Sequence, residues 1–365
     1  MASGSMTLSK EILIICCLDE FANGVRTNEI KKFLEKAGCH VTLLNTFQQT
    51  NSNAFQAESL VRALLPKTLR NRRFIVNLKK REGNRRFIAD LKQRAKKIEP
   101  HILAANPDVL ICESMADAYV MTKDFPCLKI LDCPTPWVDE FFYAGKLTRN
   151  GYSQLRSMEI EEYKKSDYVA FHWDSYAQYV RQHIYNGKNF FILNWGCTPK
   201  KKRARYQNPP RIVFMGLLKE YWSNLPLLAR LSKKYPIDVY GGPPPPKEFG
   251  LRYRGFAPST EILSEYQFGL ITISDDPLRR QGFSAKHLEY MNYGLPVLTP
   301  QWRTTPTLNH VSIYYDENNF LEKLQEFSRK DRWQQISDIC YRQAQEWRWS
   351  ENLKPLLKII GAQKE

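Results

Sequence analysis

The sequence has no long apolar run and no cysteine pair with C-x-x-C spacing, and these absences exclude several classes of protein. No apolar stretch approaches the roughly 18 residues that a membrane-spanning helix needs, and no signal-peptide pattern appears. The eight cysteines are scattered without C-x-x-C spacing, and several lie in apolar runs. We therefore predict buried free thiols in a reducing compartment, a cytoplasmic protein, no metal site and no disulfide framework.

Acidic residues are few relative to basic ones. The 365 residues include 54 Lys and Arg against 38 Asp and Glu, which gives a net charge of +16. This excess favours an anionic partner: a phosphate-bearing small molecule, an anionic membrane surface or nucleic acid. The hydrophobic fraction of 43% is ordinary for a globular protein, and the length suits two domains that each bury a core.

No G-x-G-x-x-G motif follows the first predicted strand, which disfavours an NAD-binding site there. Residues 11–18 form a continuous apolar run, which is typical of a strand buried on both faces. An amphipathic helix over 27–36 ends at Gly38, and a second strand follows at 40–44. This β-α-β order predicts a parallel sheet.

Residues 62–97 are the most basic part of the chain, with fourteen Lys or Arg against two acids. Leucine, isoleucine and phenylalanine are interleaved among them, so we expect a pair of cationic amphipathic helices. Three interpretations stay open: contact with an anionic membrane surface or a lipid-linked acceptor, a solvated helix face, and phosphate contacts to nucleic acid. The positions proposed for acceptor or membrane contact are Arg72, Arg73, Lys79, Lys80, Arg85 and Arg86.

Residues 279–298 carry the most specific pattern, and they predict a loop, a helix and a strand. Gly282 and Ser284 can open a helix, and Gly294 can end it. The apolar residues at 297–298 then begin a buried strand.

The start of this helix is a predicted anion site. Free backbone N–H groups and the helix dipole favour negative charge there, and Ser284, Lys286 and Arg280 lie nearby in sequence. Such a set suits a diphosphate. Glu289, one turn into the helix, can accept hydrogen bonds from ribose hydroxyls. The alternative is an ordinary surface helix with a solvated lysine.

The pattern K-x-x-E-Y-x-x-x-G-x-P-V spans residues 286–297 and resembles the nucleotide-sugar signature of GT-B fold glycosyltransferases, in particular the family 4-like bacterial sugar transferases. The resemblance implies that Lys286 contacts the donor diphosphate and Glu289 the donor ribose. Many retaining members have a second Glu eight positions before the ribose Glu. Gln281 stands there in this chain, so retaining and inverting transfer both stay open.

The resemblance also implies an architecture and an activity. The expected fold is α/β with GT-B architecture, two Rossmann-like domains that face a central cleft. The implied activity is transfer of a sugar from a nucleotide diphosphate sugar, a UDP-sugar first of all, to a hydroxyl of a glycan, glycolipid or small molecule. No cofactor or metal is expected, because cationic side chains can stabilise the leaving diphosphate. The enzyme would work in the cytoplasm, with the cytoplasmic face of the inner membrane as one location.

Domain boundaries follow from composition. The basic, aperiodic run at 199–210 predicts a linker. It would join an acceptor-binding domain at 7–198 to a nucleotide-sugar-binding domain at 211–350, with a tail at 351–365 packing back on the first domain.

Three further donor contacts are implied by position within the resemblance. Gly216 ends the first strand of the second domain, where backbone approaches the donor phosphates, and Lys219 follows it. Residues 251–257 resemble the family segment V-x-F-x-G-x-V, which assigns Gly255 to the nucleotide.

An inverting enzyme needs a base for the acceptor hydroxyl. Asp132 ends a predicted strand, and Asp139 and Glu140 lie in the loop predicted at 133–142; related transferases have an acidic, aromatic loop at this place. Asp19 and Glu20, after the first strand, compete with them.

Two other functions stay open. A sugar-nucleotide epimerase of the same fold would release its sugar free instead of passing it to an acceptor. A non-catalytic nucleic-acid-binding protein would explain the positive charge but not the pattern at 286–297, and its binding would weaken steeply with salt.

Overall fold

The computed structural model describes residues 10–16, 24–46, 72–113, 116–133, 135–218, 223–282, 284–303 and 306–361, with only the backbone described at 72–82 and 306. The chain divides into two compact units. The first comprises Met1–Asn194 together with Leu353–Glu365, and the second comprises Trp195–Asn352.

The first unit is built on a parallel sheet. Its strands are β1 (Glu11–Cys16), β2 (His40–Asn45), β3 (Val109–Cys112), β4 (Leu128–Cys133), β5 (Tyr168–Phe171) and β6 (Phe190–Ile192), in the order β2-β1-β3-β4-β5-β6. Every described pairing is parallel. All residues of β3 and β4 are buried, because helices on both faces cover the sheet.

Five α-helices of the described residues precede Trp195 and belong to this unit: α1 (Gly24–Lys36), α2 (Arg72–Ala105), α3 (Trp137–Tyr143), α4 (Arg149–Lys165) and α5 (Asp174–His183). The predicted pair of basic helices is wrong over the described residues, where α2 is one helix of 34 residues. No turn sequence interrupts it, and a helix interior tolerates the single Gly83. The loop predicted at 133–142 is also wrong in part, because α3 begins at Trp137.

The second unit repeats the plan. Its strands are β7 (Ile212–Met215), β8 (Ile237–Tyr240), β9 (Arg252–Tyr253), β10 (Phe268–Leu270), β11 (Val297–Pro300) and β12 (Ser312–Tyr315), in the order β12-β11-β10-β7-β8-β9. Its helices are α6 (Leu225–Lys234), α7 (Ala285–Met291), α8 (Phe320–Phe327), α9 (Lys330–Glu346) and α10 (Trp349–Asn352). The last helix, α11 (Lys354–Gly361), belongs to the first unit.

The segment predicted as a linker, 199–210, is packed on the second unit. The Ala204 N–H donates to the Tyr293 carbonyl at 2.8 Å. The Arg203 guanidinium lies 4.4 Å from the Tyr341 ring centroid and forms a salt bridge with Asp338 at 2.5 Å. Cation–π and ionic contacts therefore fix a run that its composition alone presents as solvated.

Each sheet reverses its strand order at one place. In the first unit the chain starts at β1, adds β2 on one side and β3 on the other; in the second it starts at β7 and adds β8 and later β10 in the same way. Parallel sheets bind ligands in the crevice outside the carboxyl ends of the strands at such a switch point. The two switch points are thus the first places to look for a site.

Candidate functional site

Glycines line the carboxyl ends of three strands in the second unit. A Cβ on Gly216, after β7, would fall on the Lys286 side chain, and a Cβ on Gly241, after β8, would lie 2.5 Å from the Gly216 carbonyl oxygen. The Gly241 N–H donates to the Gly255 carbonyl at 3.0 Å. Gly216 and Gly255, both predicted as donor contacts, are therefore connected through Gly241, which the sequence analysis did not name.

Helix α7 is fixed over this switch point by Tyr290. The tyrosine hydroxyl accepts the Met215 N–H at 3.1 Å and donates to the Leu270 carbonyl at 3.2 Å. Met215 is the last residue of β7 and Leu270 is the last residue of β10, and these two strands lie on either side of the reversal. Leu288 and Met291 are buried in the core of the unit, so α7 has one defined orientation and presents Lys286 and Glu289 on a neighbouring face.

Lys286 and Glu289 are close but not paired. The Lys286 ammonium lies 5.8 Å from the Phe214 ring centroid, and burial lowers its pKa while Glu289 raises it. Burial raises the pKa of Glu289, and Lys286 opposes that rise. Among the described residues, neither side chain has a hydrogen bond or salt bridge. Two charged groups thus remain available to a ligand.

Arg303, just past β11, is a cation that the sequence analysis missed. Its side chain is 8% exposed, and its Nη2 donates to the Gly282 carbonyl at 2.9 Å. Its Nη1 is buried and has no hydrogen-bond partner among the residues that the structure describes. Burial and then the charge of Arg279 lower the pKa of Arg303 to about 9. A basic residue soon after a predicted strand, on the ligand side of a parallel sheet, was the available signal.

Other predicted donor residues have different positions. Arg280 is exposed and forms two bonds with Asp275, at 2.8 and 2.7 Å. Ser284 is the N-cap of α7, but its side chain caps no N–H, and α7 has only seven residues. Anion binding here therefore depends on side chains more than on a helix dipole. Lys219 lies outside the described residues.

At the first switch point the predicted base Asp132 is enclosed by Arg26 and His172. Arg26 donates from Nε to Oδ2 at 2.7 Å and from Nη2 to Oδ1 at 3.0 Å, and His172 Nε2 lies 3.2 Å from Oδ1. Asp132 is 2% exposed. Burial alone would raise its pKa, but Arg26 and then His172 hold that pKa below its ordinary value. A carboxylate with both oxygens engaged is a weak base.

The other predicted bases are not better placed. Asp139, on α3, is 3% exposed. Its carboxylate accepts from the Tyr152 and Tyr179 hydroxyls at 2.9 and 3.1 Å and pairs with Arg156 at 2.5 Å. It joins α3, α4 and α5 instead of facing a substrate. Asp19 lies outside the described residues.

Glu113 is a carboxyl that the sequence analysis missed. It directly follows β3, beside β1 at the strand reversal, and the Thr27 hydroxyl donates to it. Burial, and then the neighbouring Asp132, raise its pKa to about 8, against the opposing effect of Arg26. The carboxyl is therefore mostly protonated at neutral pH. An acid immediately after an apolar strand was the signal in the sequence.

The described basic side chains of helix α2 are of two kinds, one buried and the others exposed. Arg94 is buried and pairs with Asp117 at 2.7 Å, which is a structural role. The basic side chains that are exposed on the described part of the helix are Arg85, Arg86, Lys92, Lys96 and Lys97. For Arg72, Arg73, Lys79 and Lys80 only the backbone is described.

The described residues contain neither a cluster of metal ligands nor a helix that could cross a membrane. No group of three or more His, Cys, Asp or Glu side chains is placed to hold a metal ion in that part of the chain. None of the helices seen there combines the length and apolar character needed to cross a membrane.

Solved structures resemble this chain, although no protein-family model and no curated protein sequence matches it. Sucrose-phosphate synthase from Thermosynechococcus elongatus is 12% identical, with 97% of this chain and 100% of that chain covered and a TM-score of 0.69. The lipopolysaccharide outer core galactosyltransferase WaaB is 13% identical, with 96% and 99% covered and a TM-score of 0.55. TarM of S. aureus, in a complex that contains UDP, is 12% identical, with 74% and 58% covered and a TM-score of 0.55. The chain therefore has the GT-B fold of these glycosyltransferases, as its pattern at 286–297 implied.

Proposed function

We propose that this protein is a glycosyltransferase that moves a sugar from a nucleotide diphosphate sugar to a hydroxyl of a glycan, glycolipid or small molecule. The observation that carries the proposal is the pair Lys286 and Glu289. Both are partly buried on α7, Lys286 lies against Gly216 at a switch point, and neither has a salt bridge or hydrogen bond within the described residues. Charges held away from water in proteins are usually paired, so an unpaired set at a ligand-binding edge indicates a charged ligand.

In this proposal each residue has one task. Glu289 accepts hydrogen bonds from the ribose hydroxyls, and Lys286 contacts the diphosphate. Gly216 has no side chain, so the ligand can approach the backbone there. A Cβ at this position would collide with Lys286. As the bond between sugar and phosphate breaks, the cations stabilise the charge that develops on the diphosphate. No metal ion and no cofactor takes part.

We assign uridine to the donor for two reasons. The pattern at 286–297 resembles the signature of enzymes that use nucleotide sugars, and one similar structure, TarM, was determined with UDP. The test compares UDP, GDP and ADP, with uridine as a control, by thermal shift. If the UDP concentration is about 100 times Kd, the free energy of unfolding should rise by about 2.7 kcal/mol.

The chain supplies a matched control for the site variants. Lys323 and Glu326 on α8 have the same Lys-x-x-Glu spacing, but they are partly exposed and pair with each other at 3.0 Å. Lys286→Ala and Glu289→Ala should abolish the shift caused by UDP, whereas Lys323→Ala and Glu326→Ala should retain it. If no diphosphate shifts the wild type, the transferase proposal is wrong.

Product analysis separates the alternatives. A transferase releases UDP from a UDP-sugar only when an acceptor is present, and EDTA should not change its rate. An epimerase would form free sugar without an acceptor. A protein that binds nucleic acid would instead bind oligonucleotides with an affinity that falls steeply with salt.

We further propose that the exposed basic face of α2 contacts an anionic membrane that presents a lipid-linked acceptor. Helical periodicity puts Arg85, Lys92 and Lys96 on one face of α2, and it puts Arg86 and Lys97 together on the adjoining face. Each basic residue near an anionic surface contributes about 1 kcal/mol. Replacing Arg85 and Arg86 with Glu should release the protein from vesicles that contain phosphatidylserine. The matched control replaces Lys164 and Lys165, an exposed pair on α4, and should leave binding unchanged.

A further inference from the structure

The guanidinium of Arg303 is oriented but only partly used. One nitrogen, Nη2, is held by the Gly282 carbonyl at 2.9 Å, in the turn that precedes α7. Another, Nη1, is buried and has no hydrogen-bond partner in the described part of the chain. A buried donor without a partner costs free energy that the folded protein normally avoids. Nη1 is therefore placed for an acceptor that belongs to a ligand.

The surroundings of Arg303 are cationic. Its charge reaches both Lys286 and His287 and lowers the pKa of each, after the larger effect of burial. Arg279 acts on Arg303 in the same sense. Within the described residues, no carboxylate forms a salt bridge with Lys286 or Arg303. Several like charges held out of water repel each other, and a multivalent anion would remove that repulsion.

The three groups lie in sequence along the start of α7. Glu289 and Lys286 are three residues apart, a rise of about 4.5 Å along the helix. Gly282, which holds Arg303, lies beyond Lys286 in the same direction, before the helix begins at Ala285. If Glu289 binds the ribose and Lys286 the diphosphate, the Arg303 guanidinium at Gly282 contacts the part of the diphosphate that is farthest from the nucleoside.

We propose that Arg303 binds the terminal phosphate of the donor diphosphate through Nη1 and sets the preference for a nucleoside diphosphate over a monophosphate. The inference rests on the proposed function, because the direction of the nucleotide comes from Glu289 and Lys286. During transfer the bond between the sugar and the terminal phosphate oxygen breaks, and its electron pair stays on that oxygen. The acceptor oxygen bonds to the sugar, and its proton passes to the released diphosphate or to water. Arg303 would then face the oxygen on which negative charge develops.

Arg303→Gln is the informative variant, because the amide can still donate to the Gly282 carbonyl while the charge is removed. UDP affinity should fall by about tenfold to a hundredfold, the range for a charged hydrogen bond. UMP affinity should change by less than about threefold, since UMP lacks the second phosphate. Isothermal titration calorimetry of UDP and UMP measures both. Arg230→Gln, which removes an exposed cation paired with Glu317 in the same unit, should leave both affinities unchanged.

Thermal unfolding without ligand separates a binding role from a structural one. A residue kept for binding is not needed by the unliganded fold, so Arg303→Gln should melt at or above the temperature of the wild type. A structural Arg303 would make the variant less stable and leave the ratio of UDP to UMP affinity unchanged. Either result overturns the proposal. Arg303→Lys, which keeps the charge but not the fork, should retain part of the preference for UDP.

Inorganic pyrophosphate distinguishes failure of this inference from failure of the proposed function. If the wild type binds no uridine nucleotide, the donor assignment falls. Stabilisation of the wild type by pyrophosphate, lost in Arg303→Gln, would still support a diphosphate site at Arg303. If pyrophosphate affects the wild type and the variant equally, or affects neither, the inference is wrong.

Discussion

The two units have the same sheet topology, but they treat buried charge differently at the strand reversal. In the first unit, Asp132 accepts two bonds from Arg26 and contacts His172. In the second, Lys286 and Arg303 have no carboxylate partner among the described residues. Paired charges form ion pairs that stabilise the fold, whereas unpaired charges can bind a charged ligand. The comparison teaches that topology locates a crevice and that charge balance decides whether the crevice is structural or ligand-binding.

The largest expected effect is on the paired side. Asp132→Asn removes one charge from a buried pair and leaves Arg26 without its partner. Breaking such a pair should lower the free energy of unfolding by about 3–5 kcal/mol, as measured by chemical denaturation. The control is Glu35→Gln, which breaks the exposed pair with Lys31 and should cost less than about 1 kcal/mol. Equal costs would show that the first cluster does not hold the fold.

The second prediction concerns the pH dependence of the same unit. The pKa of Glu113 is about 8 in the folded protein, above its ordinary value of 4.5. Because the folded state holds this proton more tightly, the wild type loses stability as pH rises from about 4.5 towards 8. Gln cannot ionise, so Glu113→Gln should gain on the order of 3 kcal/mol relative to the wild type between pH 5 and pH 8.

Denaturation of both proteins at the two pH values checks this prediction. Glu35→Gln serves again as the control and should show little pH-dependent difference from the wild type. A constant difference between Glu113→Gln and the wild type would mean that Glu113 is ionised like an exposed carboxylate. The contrast between paired charges in the first unit and unpaired charges in the second would then be weaker.

The third prediction addresses the unpaired side. Gly216→Ala places a methyl group on the Lys286 side chain, so the ammonium must move. UDP affinity should fall by about tenfold or more, the equivalent of one lost charged hydrogen bond. In a Lys286→Ala background the same change should add little, because the collision is gone. Calorimetry of the two single variants and the double variant measures this coupling, and additive losses would contradict it.

The smallest effect is expected at Arg280, which the sequence placed beside Lys286. Its guanidinium is exposed and held by Asp275 at both ends. Arg280→Gln should therefore change UDP affinity by less than about threefold, since solvent screens an exposed ion pair. A loss as large as that of Arg303→Gln would mean that Arg280 leaves Asp275 when the donor binds.

Local patterns predicted much of the second site. The helix at 285–291 and the strand that starts at 297 follow from caps and apolar periodicity, and the structure contains both. The spacing of Lys286 and Glu289 was visible too, but Lys323 and Glu326 have the same spacing and form a partly exposed salt bridge. Spacing therefore does not distinguish a site from a surface pair. The α7 pair differs because neither Lys286 nor Glu289 has a salt bridge within the described residues, and this depends on which side chains pack around α7.

The bases predicted in the first unit show that sequence also does not reveal the partners of a charged residue. Asp132 was correctly placed at the end of a strand, yet its partner Arg26 lies 106 residues away in sequence. Asp139 was expected in a loop, whereas α3 buries it against Tyr152 and Arg156. A sequence can show which residues are charged and which strand they follow. It does not show which opposite charge will reach them.

The sequence by itself determined the α/β class, the parallel order of the first strands and the Lys-x-x-Glu pattern before a Gly-x-Pro-Val turn. These features depend on periodicity and on neighbours within a few residues. Tertiary structure alone decided that Asp132 pairs with Arg26, that the pKa of Glu113 is raised and that Arg303 has one nitrogen without a partner among the described residues. Desolvation and ion pairing act through space, so they are set only when strands and helices from distant parts of the chain meet.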